Sequence, residues 1–288
     1  MIDEIADQTA PDPLLAEAAA LRAHPAFPAA VKAYVSGLVR FRESSRLLSK
    51  LNAHEARMRV VGYFLHLSAV SRVGGGDGGV SYGELYDICV ARDGQVGPRV
   101  LKTMLALLEM LRLVDSWRGT DRRVKYYRPT PRLLDFARGF YVTPSRALDC
   151  LEPEARRAER LLHDREFFSR LLVTAGREHH ASPPASRMPG FIAFCGGRDG
   201  VGPITARLVE AELLGAPPDS RATLARRFGL SRTQVSDVIA EGVRVGYFGL
   251  DADATPSVTP QLRENLSRWI SIELAFMARH MPPPRSPQ

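Results

Sequence analysis

The chain has 288 residues, 45% of them hydrophobic and 25% charged, with a net charge of +7. That length allows one large domain or two ordinary ones, and the composition is globular, not disordered or fibrous. No apolar run reaches the ~18 residues of a membrane helix, the start MIDEIADQTAPDP lacks a signal peptide's basic end and apolar core, and three scattered cysteines without a CxxC pair suit a reducing compartment, so a cytoplasmic protein without membrane contact is expected.

Residues 1–26 read as an N-terminal extension, its first dozen residues frayed. Apolar residues at helical spacing predict a helix in 27–50 and a second, more apolar one over 55–70. SRVGGGDGG reads as a flexible glycine-rich link, without the lysine and serine or threonine of a phosphate loop. Ser81 with Glu84 forms a capping box, so a helix begins there and stops before Asp93-Gly94. The next helix starts at Pro98, where proline suits the first turn. VDSWRGTDRRVKYYRPT then predicts two strands around a turn at Gly119-Thr120-Asp121, and Thr130-Pro131 opens another helix.

From about residue 153 the pattern restarts. EARRAERLLHDREFFSRLLVTAGREHH predicts one long amphipathic helix, ASPPASRMPG a loop, and FIAFCGGRDGVG a short apolar piece. PITARLVEAELLG is helical, two helices with a tight turn span 220–248, GLDADATPSV is a loop or hairpin, and Thr259-Pro260 opens the last helix. RHMPPPRSPQ reads as a disordered tail, counted from 281 in the domain scheme. The two halves, 27–150 and 151–280, thus look like one unit written twice, the clearest echo being PTPRLLDFARGF and VTPQLRENLSRW. Ser220 to Thr259 is ten residues shorter than Ser81 to Thr130, the loss falling in the turn before one helix and at the hairpin tip.

TLARRFGLSRTQVSDVI carries the strongest local signal. Ala225 is small enough for two helices to cross, Gly229 suits the left-handed turn, Leu230 plugs it, and Ser231 caps the next helix. Val235 and Ile239 lock that helix inward, which leaves Ser231, Arg232, Thr233, Gln234 and Ser236 where a recognition helix meets DNA. Asp237 counts slightly against this, since a carboxylate repels phosphate. In the first half Gln95, Arg99 and Lys102 are the corresponding candidates. The hairpin segment 118–132 holds Arg118, Arg122, Arg123, Lys125, Arg128 and Arg132 against Asp121, a local charge of +5 suited to a negative groove. The matching LDADATPS carries Asp251 and Asp253 and no cation, so the two hairpins are unequal.

GTDRRVKYYRPTP resembles the wing of the MarR (multiple antibiotic resistance regulator) family of winged-helix transcription factors, with Asp121, Arg122, Arg123, Lys125, Thr130 and Pro131 in matching order. VSDVIAEGVRVGYF is similar to that family's recognition helix running into its Gly-Leu-Val strand, at Gly246-Tyr247-Phe248. The chain departs from the pattern at Leu133 and Arg112, where the family has glycine. The likeness covers about 27–142 and again 154–280. It implies a wing braced by Asp121 pairing with Arg123, a joint between the halves made by 27–50, 132–142, 154–180 and 260–280, and a small-molecule effector held between joint and DNA-binding module. Tyr34, Phe41, Tyr63 and Phe64 would line such a pocket, though ordinary core accounts for them too.

The remaining signals are weaker. His179-His180 lacks accompanying ligands at metal spacing, His54 and His66 suit packing or surface, and no nucleophile–base set stands out. Neither a metal nor a cofactor nor an enzymatic activity is expected. The expectation is a mainly α protein of tandem winged helix-turn-helix units with small β-hairpin wings, a pseudo-dimer in one chain or a homodimer of it. It would bind double-stranded DNA as a transcription regulator, its recognition helices ~34–36 Å apart in successive major grooves. The alternative is a tandem winged-helix scaffold that clamps partner proteins.

Overall fold

The computed structural model describes residues 12–44, 55–252 and 254–284; His54 and Asp253 lie outside them. The chain is mainly helical with two small antiparallel sheets. Its first half runs α1 (Pro13–Ala23), α2 (Phe27–Ser44), α3 (Glu55–Val73), β1 (Val80–Ser81) and α4 (Tyr82–Tyr86), which continues as a π-helical turn over Asp87–Arg92. Then follow α5 (Pro98–Met110), β2 (Val114–Arg118), β3 (Lys125–Pro129) and α6 (Pro131–Leu151). The second half runs α7 (Arg157–His163), α8 (Arg165–Ala181), α9 (Pro189–Gly196), α10 (Val201–Leu213), α11 (Arg221–Phe228), α12 (Arg232–Arg244), β4 (Phe248–Leu250), β5 (Pro256–Val258) and α13 (Pro260–His280). The first sheet has the order β1-β3-β2, with Val80 opposite Tyr127 and Trp117 opposite Tyr126; the second is β4-β5 alone.

The internal echo extends to individual hydrogen bonds. α5 and α12 end alike: Leu113 N–H donates to Leu108 C=O and Tyr247 N–H to Gly242 C=O, both at 2.8 Å. Each helix leaves through a left-handed residue, Arg112 (φ 54°) in one half and Gly246 (φ 78°) in the other. The hydroxyl of Thr130 donates back to the Arg112 and Leu113 carbonyls, and that of Thr259 to those of Gly246 and Tyr247. Proline at the first helical position completes both junctions, because its missing N–H has no partner to lose there. Arg112 therefore occupies a glycine-type position, an arrangement unfavourable for a residue with a Cβ.

Packing between the halves is reciprocal. α1 lies on α13 while α7 lies on α6, and α3 packs on α8 while α10 packs on α2. α6 and α13 also touch each other. One continuous hydrophobic core runs through both halves, from Leu14 and Phe27 to Leu262 and Met281.

Several local expectations are corrected. The segment before residue 27 contains α1, which buries Leu14 and Ala18 and salt-bridges to α13 through Arg22–Glu264 (2.8 Å) and Glu17–Arg279 (2.7 Å). The long helix over 154–180 is broken. Arg156 is left-handed (φ 46°), and the Asp164 carboxylate caps a fresh start by accepting from Phe167 N–H at 2.9 Å. FIAFCG is helical, with Pro189 in its first turn and Phe191 and Phe194 edge-on to Tyr247. The tail is held as far as Pro282: Met281 is buried, and Arg157 and Arg160 donate to the Met281 and Pro282 carbonyls at 2.8 and 2.7 Å. Residues 285–288 lie outside the described residues. The glycine-rich segment is pinned, not loose, since Asp77 accepts from Gly79 N–H (2.8 Å) and salt-bridges Arg128 (3.4 Å). Only Cys89 is fully buried; Cys150 and Cys195 are half-buried, and all three are free thiols.

Candidate functional site

In α11 and α12 the local chemistry sets the geometry. Ser220 caps α11 by accepting from Thr223 N–H (3.2 Å), and Leu224 and Ala225 face inward. Gly229 turns the chain at φ 65°, which lets Leu230 N–H reach the Ala225 carbonyl at 2.9 Å. Ser231 and Gln234 then form a full capping box. Val235, Val238 and Ile239 are buried, so Ser231, Arg232, Thr233 and Gln234 are exposed with Asp237, and Ser236 is half-buried. The Gln234 side-chain carbonyl accepts from Ser231 N–H at 2.8 Å, leaving its amino group as the outward donor.

The first half presents an analogous face. Leu101, Met104, Leu105 and Leu108 point inward from α5, leaving Arg99 and Lys102 exposed, with Gln95 exposed on the preceding turn. Thr103 and Ala106 share that outer face, which the sequence reading did not mark because the helix is apolar over a wide arc.

The first hairpin tip differs from expectation in two ways. Asp121 accepts from the Arg123 backbone N–H (2.9 Å) and makes no side-chain ion pair with it, while Arg118 donates to the Arg122 carbonyl (2.6 Å). Lys125 turns back onto α5: it salt-bridges Glu109 at 2.6 Å and lies over the Tyr127 ring at 5.0 Å. The Glu109 hydrogen bond holds Lys125 above the ordinary lysine pKa. Lys125 is thus a strut of the hairpin. Arg128 is similarly occupied by Asp77 and the Trp117 ring. The outward cations of this tip are Arg118, Arg122 and Arg123, all exposed. The second tip is shorter. Asp251 accepts from Thr255 N–H (2.7 Å), Ala254 is left-handed (φ 57°), and Arg221 of α11 reaches the Ala254 carbonyl at 3.5 Å.

Ion pairs tie both modules to the centre. Asp219, beside the α11 cap, accepts from Arg207 of α10 (2.9 Å) and pairs with Arg227 of α11 (3.1 Å), and Arg227 also pairs with Glu43 of α2. In the first half Arg59 of α3 pairs with Asp93 (2.9 Å) at the end of the π turn.

Between the halves lies a cavity of about 330 Å³ with walls from α2, α3, α6, α8, α9, α10 and α13. Tyr34, Phe136, Phe140, Tyr141, Trp269 and Phe276 line it. Of the four aromatic residues expected on the first two helices, Tyr34 and Tyr63 line this space. Phe64 is fully buried core, and Phe41 packs against Phe136 and Phe140. Leu266, Trp269, Glu273, Phe276 and Met277 form one stripe of α13 facing the cavity. Glu273 keeps part of its surface open, and that surface faces the cavity; burial pushes its carboxyl up to about 7. His179 is pushed down to about 4, first by burial and then by Arg59 and His180. Burial lowers Arg42 to about 10 against the opposing charge of Asp199, and raises Tyr141 and Cys195 to about 12. A carboxylate in the middle of SRWISIELAFMA, where helical spacing demands apolar side chains, was the available sequence sign of this site.

Among the described residues no cluster of three or more His, Cys, Asp or Glu is placed to hold a metal ion; His179 instead lies edge-on to Tyr63 and Phe276. His66 is buried, its Nδ1 3.0 Å from the Leu172 carbonyl oxygen. No described helix is long and apolar enough to cross a membrane. Compared with protein-family models, curated proteins and solved structures, the chain gives no match.

Proposed function

We propose that this chain binds double-stranded DNA sequence-specifically as a transcription regulator, using two unequal winged helix-turn-helix modules of MarR-like build. The observation that carries the reading is one combination. A capped helix N-terminus exposes Arg232, Thr233 and Gln234, a second helix exposes Arg99 and Lys102, and a three-arginine hairpin tip stands beside that second helix. Helix N-termini and arginine suit phosphate and base edges, and a cationic hairpin suits the narrow, negative minor groove. The reciprocal packing of the halves fits a pseudo-dimer within one chain, with α2, α6, α8 and α13 in its joint. Because one tip is cationic and the other is not, the preferred site is an asymmetric sequence.

Titration of labelled random and selected duplexes at several salt concentrations tests this. The expected result is binding whose log affinity falls with log salt by about 0.9 per phosphate contact. Absence of binding even at low salt overturns the proposal. A protein-clamping scaffold would call for an acidic patch over α12 or an apolar one over α5, whereas α5 exposes Arg99, Lys102, Thr103 and Ala106, with Met110 as its one exposed large apolar side chain.

A further inference from the structure

We propose that the cavity between the halves binds a lipophilic ammonium cation, with Glu273 as counter-ion and the surrounding aromatic rings as its cage. The inference concerns a site separate from the helix–hairpin surfaces and does not rest on DNA binding.

Charge bookkeeping decides the sign of the ligand. Four lining residues have side chains that are ordinarily charged or titrate near neutrality: Arg42, Arg59, His179 and Glu273. Arg59 is matched by Asp93 at 2.9 Å, and Arg42 sits in the field of Asp199, which also salt-bridges Arg57 at 3.5 Å. His179 is neutral at physiological pH, because burial beside Arg59 and His180 disfavours its charged form. Glu273, like the neutral His179, has no hydrogen bond or ion pair among the described residues, and it stands on the inward stripe of α13 between Trp269 and Met277. Glu273 is the one carboxylate among the lining residues, and it has no salt-bridge partner among the described residues. A carboxylate held in such surroundings gains a partner when a cation enters, since the pair attracts strongly where water is excluded.

The walls specify the rest of the ligand. Tyr34, Phe136, Phe140, Tyr141, Trp269 and Phe276 offer ring faces and edges and few hydrogen-bonding groups. Such a lining suits an alkylated ammonium, which needs no donor or acceptor partners and is stabilised over aromatic faces. A volume of about 330 Å³ admits a bicyclic aromatic body carrying one small cationic group. An anionic ligand would meet the uncompensated Glu273 charge and is disfavoured.

The test uses the full chain without DNA, at pH 8 where Glu273 is mostly ionised. Isothermal titration compares three probes of one shape: naphthylmethyl-trimethylammonium, its uncharged carbon isostere neopentylnaphthalene, and naphthylacetate. The ammonium should bind at least about tenfold more tightly than the isostere, and naphthylacetate most weakly. Glu273→Gln, checked for fold by circular dichroism, should erase the preference for the ammonium and leave isostere binding within about threefold. Tighter binding of naphthylacetate than of the ammonium overturns the proposal. So does an unchanged preference in Glu273→Gln, or no binding of any probe at millimolar concentration. The probe series on the native chain decides the matter even if the variant fails to fold. Failure here leaves DNA binding untouched, because each is read without the other.

Discussion

Glu273 makes a quantitative prediction about stability. Its carboxyl moves from an ordinary 4.5 to about 7 in the folded protein, through burial. The folded state then holds a proton that the unfolded chain has lost over that interval. Stability contributed by the protonated form is complete below about 4.5 and is lost as pH rises through about 7. At about 1.4 kcal/mol per pKa unit, the loss between pH 5 and pH 8 comes to roughly 2–3 kcal/mol.

His179 works in the opposite sense. Its folded pKa falls from 6.5 to about 4, so its contribution is present above 6.5 and lost as pH falls toward 4. The two windows overlap, and wild-type stability alone hides both slopes. Arg42, lowered only to about 10, stays charged across this range, while Tyr141 and Cys195, raised to about 12, stay neutral. The informative quantity is therefore the stability difference between Glu273→Gln and wild type, from urea unfolding at pH 5 and pH 8. That difference should move in favour of the variant by about 2–3 kcal/mol between the two values. A difference that stays constant would mean the carboxyl is solvated in the fold, and the reasoning about the cavity would fail with it.

Three further outcomes follow from the same contacts. Arg123→Ala should weaken DNA binding and reduce the salt slope by about 0.9, whereas Lys125→Ala, already committed to Glu109, should barely change the slope; equal effects would refute the unequal roles. Gly242→Ala should destabilise by about 1–3 kcal/mol in urea unfolding, because a Cβ there overlaps the Phe248 ring that closes α12 onto β4. Asp219→Ala should cost about 3 kcal/mol by the same assay, since Arg207, only 13% exposed, loses its carboxylate partner; a neutral result would show that Glu210 suffices for it.

The parts of the fold legible in the sequence are those written in local chemistry. Ser81 with Glu84, Gly229 with Ser231, and the two Thr-Pro junctions each satisfy backbone groups within a few residues or at a neighbouring strand, so side-chain type alone announces them. What stayed hidden depends on the other half of the chain. α1 is a modest helix whose inward residues become meaningful only once α13 lies against it. The break at Asp164 competes with a continuous apolar period on both sides, and the cap wins because α7 and α8 serve different neighbours. Lys125 looked like a surface cation, and Glu109, sixteen positions away on another element, turned it inward. Glu273 was missed for the same reason: its stripe faces a space that exists only between α13 and six other helices.

The reciprocal joint also bears on why the two hairpins differ. When two units share one chain, a change in one is not copied into the other, as it must be in a homodimer. The joint still constrains both, because α1 needs α13, α7 needs α6, and the cavity takes walls from each half. The Thr130 and Thr259 junctions sit at the ends of α6 and α13 that carry this joint, and they keep the same hydrogen bonds. At the hairpin tips the described polar contacts stay within each half, and there one half holds three outward arginines where the other holds Asp251 and a short turn. Divergence is thus concentrated where packing permits it. That places the difference between the halves at the hairpin surface proposed to meet DNA and leaves the centre common to both.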